Sequence, residues 1–373
     1  MFVLTQIIRI LVSVTFIFSG FVKLVDPIGS AYKFQDYFAP SVLNLEFLVP
    51  YALPLAIVLI LTETMLGIML LLGVFSKFTV WSLFALTLFF LFLTWYSAYY
   101  DKVTDCGCFG DAIHMTPWTT FYKNVVLLAM IIFLTFYTDY INPPLAPAFA
   151  GGLSLVLLLI FAGLTRHVLR HLPIIDFMPY AKGKNIEEGV SIPEDAPKWV
   201  YEDTWIYEVN GVEKEYSTEE KPWTITGANF VDRKTKVVTE GYTPPIHDFT
   251  MELEGNDIKV QLLQEEKLIL VVMYNMEKSH KKGLKKIKDF TDKAMRKGYH
   301  VYAFSASSPE DFALMKEKYK WDFDLLFCDE TTLKTIIRGN PGIVLLNKGT
   351  VEGKWNWRDI KDIELKAVPY EGF

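Results

Sequence analysis

Five long apolar stretches fill most of the first 171 residues, at about 4–25, 48–74, 77–100, 117–139 and 148–170. Each approaches or exceeds the roughly 20 residues that a helix needs to cross a hydrocarbon core about 30 Å thick. No water is present at that depth to satisfy an open strand, so the backbone is forced into helices. The first stretch lacks a small-residue cleavage site and runs Gly20-Phe21-Val22-Lys23-Leu24-Val25-Asp26-Pro27 into the next loop. It therefore reads as a retained helix and not a secretory signal. Asp26-Pro27 after the first span, Pro50 and Pro54 opening the second, Gly73 closing it and Pro143-Pro144-Leu145-Ala146-Pro147 before the fifth punctuate a compact bundle.

The second half differs in kind. Through His171 the chain carries eight basic and eight acidic residues; the remaining 29 basic and 35 acidic residues hold the whole net charge of −6. An acidic, evenly mixed soluble half argues against nucleic acid as a partner. Leu172–Tyr180 reads as a linker leading away from the membrane. Between Trp199 and Tyr242, short aromatic and β-branched runs alternate with turn residues. Asn210-Gly211 is a strong two-residue hairpin signal, and a second turn is expected at Asp232-Arg233-Lys234-Thr235. From about residue 246, strands at Leu268–Tyr274, His300–Phe304, Asp324–Cys328 and Gly342–Leu346 alternate with helices at about 278–297, from the Ser308 cap to Tyr319, and through Ile337. The expected fold class is an all-α transmembrane bundle of about five helices, then a small antiparallel β module, then an α/β domain. The domain limits are 1–171, 172–243 and 244–373.

Three features carry chemistry. Cys106-Gly107-Cys108-Phe109-Gly110-Asp111 lies between the third and fourth spans and holds two of the three cysteines, too few for a disulfide-stapled scaffold. A disulfide across one glycine is tight and easily reduced, which suits a redox relay. A metal site recruiting His114 with Asp105 or Asp111 is a second reading, and a purely structural loop is a third. Glu63 falls near the middle of the second span, where an ionisable group costs roughly 2.5–3.5 kcal/mol unless it faces a partner or a wet cavity. It is either a proton or quinone site, or a paired or protonated structural residue. Cys328, after Leu325-Leu326-Phe327, reads as a buried structural thiol.

Parity adds a result that is independent of orientation. Two crossings separate the cysteine loop from the soluble half, so both face one compartment. Arg166, Arg170, Lys182 and Lys184 favour a cytoplasmic soluble half, whereas Arg9, the amino terminus and Lys77 favour the opposite. A dithiol/disulfide couple belongs where the compartment is oxidising, so the soluble half is expected on the periplasmic face of an inner membrane.

The membrane half resembles the DoxX/MauE group over roughly residues 1–140. The marks are Phe18-Ser19-Gly20, Lys23-Leu24 and Asp26-Pro27, then Glu63, Gly67 and Leu70–Gly73, the cysteine loop, and Lys123-Asn124 inside the fourth span. Over about 244–360 the chain resembles the thioredoxin-like fold of the peroxiredoxin and thiol-reductase type. Pro244-Pro245-Ile246-His247-Asp248-Phe249-Thr250 matches its opening segment, and Asn340-Pro341-Gly342 its cis-proline loop. Where that group has its cysteines, this chain reads Tyr274-Asn275-Met276-Glu277-Lys278-Ser279-His280. Without a thiolate the domain cannot run disulfide exchange. The resemblances imply a membrane protein of envelope thiol-disulfide handling or client maturation. In it Cys106 and Cys108 form the redox pair, Glu63, Lys123 and Asn124 an intramembrane polar site, and Asn340 and Pro341 a client-binding groove. Membrane lipids and an envelope client are the expected partners, and a quinone is the cofactor that would fit. A non-enzymatic anchor or assembly factor, or a quinone-linked accessory subunit, is the alternative.

Overall fold

The computed structural model describes residues 1–103, 107–113, 115–143 and 145–366, without the side chain of Pro147. Five of its helices are long and apolar enough to cross a membrane: α1 (Phe2–Val25), α3 (Ala52–Leu72, continued N-terminally by a 3-10 turn from Glu46), α4 (Ser76–Tyr100), α5 (Pro117–Phe136) and α6 (Pro147–Arg170). The chain is a membrane protein, and each sequence-predicted span has its helix. Large side chains such as Phe2, Ile7, Phe78, Phe89, Phe136 and Leu159 stay exposed, as befits helices whose solvent is hydrocarbon. A short additional helix, α2 (Pro27–Phe38), follows α1. Its start is written in the sequence: Asp26 caps Gly29 N at 3.0 Å and Pro27 fills the first helical position, where a missing N–H costs nothing.

α1 and α3 pack closely because small residues let their backbones approach. A Cβ on Gly67 would stand 3.0 Å from the backbone nitrogen of Ile17, and one on Gly20 would collide with Thr64. At the end of the bundle where the chain begins, Arg9 donates to Leu70 O at 2.9 Å and Leu71 O at 2.7 Å. A cation thereby joins the cap of α3, where Leu70 O also accepts from Gly73 N at 3.1 Å.

After α6 the chain forms α7 (Ile186–Val190) and a three-stranded antiparallel sheet in the order β2-β1-β3: β1 (Val200–Val209), β2 (Val212–Ser217) and β3 (Ala228–Thr239). The Asn210-Gly211 hairpin forms, with positive φ at both residues. The second expected turn, at Asp232–Thr235, is corrected: β3 runs through it without interruption, and the reversal lies between residues 218 and 227. Those four polar residues reflect an exposed strand, not a turn, since nearly all of β3 faces solvent.

The C-terminal body is a seven-stranded sheet in the order β10-β9-β6-β7-β8-β4-β5. Its elements in chain order are β4 (Glu252–Leu253), β5 (Asn256–Asp257), α8 (Lys259–Leu262), β6 (Leu268–Val272), α9 (Lys281–Arg296), β7 (His300–Ser305), α10 (Pro309–Tyr319), β8 (Asp324–Phe327), α11 (Glu330–Ile336), β9 (Gly342–Asn347) and β10 (Thr350–Asn356). β6, β7 and β8 are parallel, while β9 pairs antiparallel with β6 and β10 antiparallel with β9 at the edge. β6 is buried throughout, which explains its unbroken apolar run: both of its faces carry core. Ile269 and Val271 face a layer containing Leu284, Ile287 and Trp321, and Leu268, Leu270 and Val272 face one containing Phe304, Leu333 and Ile336. Tyr180 and Ile186, upstream of the β module, are buried in that second layer, and Gly183 N and Ile186 N bond to Val351 O and Gly349 O at 2.8 and 2.9 Å. The segment after the expected linker thus packs as part of the soluble body.

Replacing Gly67 with leucine is expected to force α1 from α3 and to lower stability by about 1–3 kcal/mol, read as a fall in the thermal midpoint of the full chain in detergent micelles.

Candidate functional site

Glu63 is buried in α3, and its partner is Lys23 in the last turns of α1. Lys23 Nζ lies 3.0 and 2.7 Å from the two carboxylate oxygens, with both residues under a tenth exposed. The cost of two desolvated charges is met by this contact together with further hydrogen bonds. Lys23 also donates to Ser19 Oγ at 3.0 Å, and Ser19 donates to the carbonyl oxygen of Cys108 at 2.5 Å. The spacing of Ser19 and Lys23, one helical turn apart, puts both on the face that meets α3 and the cysteine loop. A chain of polar contacts therefore runs from the interior of the bundle to the loop.

Phe109 anchors the same loop. Its ring packs on Phe18 with centroids 5.5 Å apart, and Lys123 Nζ sits 4.4 Å from its centre. Asn124 is buried and donates to Thr94 Oγ1 at 3.3 Å. A cavity of about 20 Å³, the size of one water molecule, is lined by Glu63, Lys23, Cys108, Lys123, Asn124 and Thr87. Thr87 Oγ1 has no hydrogen-bond partner among the described residues. A second, more apolar cavity of about 50 Å³ shares Lys23, Phe90 and Cys108 and adds Tyr37, Ile60 and Leu93. The structure thus brings Glu63, Lys123, Asn124 and Cys108 to one cavity. Cys106 and His114, together with Asp105, lie outside the described residues, and among the described residues no group of three or more candidate ligands is gathered for a metal.

Arg338, in the soluble body, reaches this end of the bundle. It donates to Asp26 Oδ2 at 2.8 Å and to Asp111 Oδ2 at 3.3 Å, and its guanidinium lies 5.4 Å from the centre of the Tyr32 ring. Lys334, one helical turn earlier, lies over the same ring at 4.8 Å. Burial first, and then the neighbouring Tyr274, hold the Tyr32 phenol above its ordinary pKa. Between these elements is a polar cavity of about 220 Å³, lined by Lys33, Asp36, Gly107, Gly110 and Asp176 among others. The contact puts the cysteine loop and the soluble half on one face of the bundle, as parity requires.

Beyond the end of β6, residues Asn275 to His280 form a loop hydrogen-bonded to Asn340. Ser279 Oγ donates to Asn340 Oδ1 at 2.7 Å, Asn340 Nδ2 donates to Asn275 O at 2.8 Å, and His280 N bonds to Asn340 O at 3.1 Å. The Asn340–Pro341 bond is cis. Pro341 is buried and Asn340 half-buried; the side chain of Pro341 and that of Trp357 crowd Gly283 at the start of α9.

Residues 1–137 match the family model described as Methylamine utilisation protein MauE. The match covers α1 to α5 and with them the cysteine loop and the Lys23–Glu63 pair; α6 and the soluble half lie beyond it. No curated protein and no solved structure matches the chain. Sequence reasoning located Glu63 but missed Lys23 as its partner and Arg338 as a contact. The first had a signal: a lysine, like a glutamate, is costly at that depth unless paired. The second had none, since an arginine in a soluble α/β half is unremarkable.

Glu63→Leu is expected to cost about 3–5 kcal/mol by leaving Lys23 buried and uncompensated, while Lys23→Met/Glu63→Leu stays near the parent; thermal unfolding of the three proteins in one detergent decides it. Cys328 is fully buried, and burial pushes its thiol up to about 11. It therefore stays protonated at pH 8, and an alkylating reagent is expected to modify it only after denaturation, scored by intact mass.

Proposed function

We propose that this chain handles thiols at a membrane surface, with Cys106 and Cys108 as the exchanging pair and the soluble half as the module that presents a client to them. The observation that carries the reading is the position of the loop. Ser19, Lys23 and Glu63 hold it from below through the Cys108 carbonyl, and Arg338 holds it from the side through Asp111. A loop with only a capping role needs neither tether.

The soluble body is read as thioredoxin-like. Support comes from its parallel β6/β7 pair, the antiparallel β9/β10 hairpin at one edge, and the Asn340-Pro341-Gly342 segment ahead of the penultimate strand. Its own former reactive loop holds Ser279 and Asn275 in place of thiols, so its part is binding, through the half-buried Asn340 and the surface beside Pro341.

In the exchange, a client thiolate attacks the Cys106–Cys108 disulfide and forms a mixed disulfide; a second client thiolate then displaces the loop sulfur. The client leaves oxidised and the loop holds two thiols. Returning the loop to the disulfide would release two electrons and two protons, and a quinone bound within the bilayer would be a suitable class of acceptor for them. Glu63, Lys23, Lys123 and Asn124 supply the polar groups beside Cys108. We place the protein in an inner membrane with the loop and soluble half on the periplasmic face.

In intact cells, a membrane-impermeant thiol reagent is expected to label Cys106 and Cys108 only after mild reduction, and Cys106→Ser/Cys108→Ser is expected to abolish mixed disulfides with clients at normal expression. Free thiols that label only after lysis, or an unchanged client thiol state in the double variant, would leave the non-enzymatic anchor as the better reading.

A further inference from the structure

α6 ends in a basic last turn, with Arg166, His167 and Arg170 all exposed. The soluble body meets this turn: Arg358 Nη1 donates to Arg170 O at 3.3 Å, Asn356 Nδ2 to His171 O at 3.4 Å, and His171 Nδ1 lies 2.7 Å from Asp359 Oδ1. Beside this contact is Trp357, whose ring carries three basic neighbours. His280 stacks on it at 4.2 Å, the Arg358 guanidinium lies 4.1 Å from its centre, and Lys286 Nζ lies 5.2 Å away. Lys282 and Lys286, both exposed, extend the cluster along the first turns of α9.

These cations are crowded and short of counter-charge. Among the described residues, none of Arg166, Arg170, Lys282, Lys286 or Arg358 has a carboxylate at ion-pair distance, and Asp359 is engaged by His171. The crowding shows in the titration of its members. Burial and then Arg170 hold the Arg358 guanidinium below its ordinary value, with Asp359 opposing. Burial, then Arg358, then Lys282 do the same for the His280 imidazole.

We propose that this cationic face, centred on Trp357 and joined to the end of α6, seats the anionic phospholipid headgroups of the leaflet in which that span ends. Charge complementarity selects a phosphate anion, and position selects a lipid. The cluster is continuous with the terminal residue of a candidate span, so it lies at the depth where headgroups are. Basic residues next to a span attract anionic lipid at about a fivefold gain in association per residue at low salt, falling off within a Debye length. Bound there, the headgroup neutralises the cations and fixes the tilt of the soluble half on the bilayer. Nothing in this assignment depends on the cysteines.

The test uses the full chain in phosphatidylcholine bilayers containing spin-labelled phosphatidylglycerol or, separately, spin-labelled phosphatidylcholine, with association read from the motionally restricted signal. The parent is expected to select phosphatidylglycerol and to lose that selectivity as salt rises. Lys282→Gln/Lys286→Gln, both at exposed positions, and separately Arg358→Gln are expected to lower it by about fivefold for each basic residue removed. Equal association of the two lipids with the parent, or unchanged selectivity in both variants, overturns the proposal. So does displacement of the lipid by inorganic phosphate at matched ionic strength, which would make the site one for a soluble anion.

Discussion

The pairing of Lys23 with Glu63 is the contact on which the arrangement of the membrane half turns. Each charge alone would be costly at its depth; together, with Ser19 as a third partner, they are compatible with burial. The pair also has a direction. It fixes which face of α1 meets α3 and at what height, and Ser19 on that face then reaches the carbonyl of Cys108. Gly20 and Gly67 serve the same contact, because the two backbones must lie close for the lysine to span the gap.

From that fixed point the rest is a sequence of tethers. Phe109 lies against Phe18 and under Lys123, and Asp111 is met by Arg338. Arg338 also takes Asp26, the residue that caps α2, so one guanidinium joins the soluble body to two separate elements of the membrane half. A second contact, between Arg358, Asn356 and the end of α6, also joins the soluble half to the membrane half.

The fully buried β6 and the polar, exposed β3 illustrate how local pattern can inform and mislead. In β6 a run of five apolar residues is read correctly because both faces of a central strand are covered. In β3 four consecutive polar residues look like a turn, yet the strand continues. Polarity marks contact with water, and an exposed strand and a turn share that property. The short α2 sits between these cases: its cap and proline were visible at Asp26-Pro27, but its amphipathic body was too short for periodicity to declare it.

Features that depend on neighbours along the chain are legible in the residue order. The five spans, the Asn210-Gly211 hairpin, the alternating strands and helices after residue 246, and the presence of Glu63 and the cysteine loop as polar exceptions in an apolar half are all of this kind. Each follows from composition over a window or from the φ demands of a turn. Which residues answer one another across the chain is set by the packing in three dimensions. Lys23 meets Glu63 forty residues away, Ser19 meets Cys108 at a separation of 89, and Arg338 meets Asp26 at 312. Charges and hydroxyls carry no record of their partners in the linear order. A buried charge requires a partner, and which one it takes is set by the packing of helices and sheet that brings the candidates within about 3 Å.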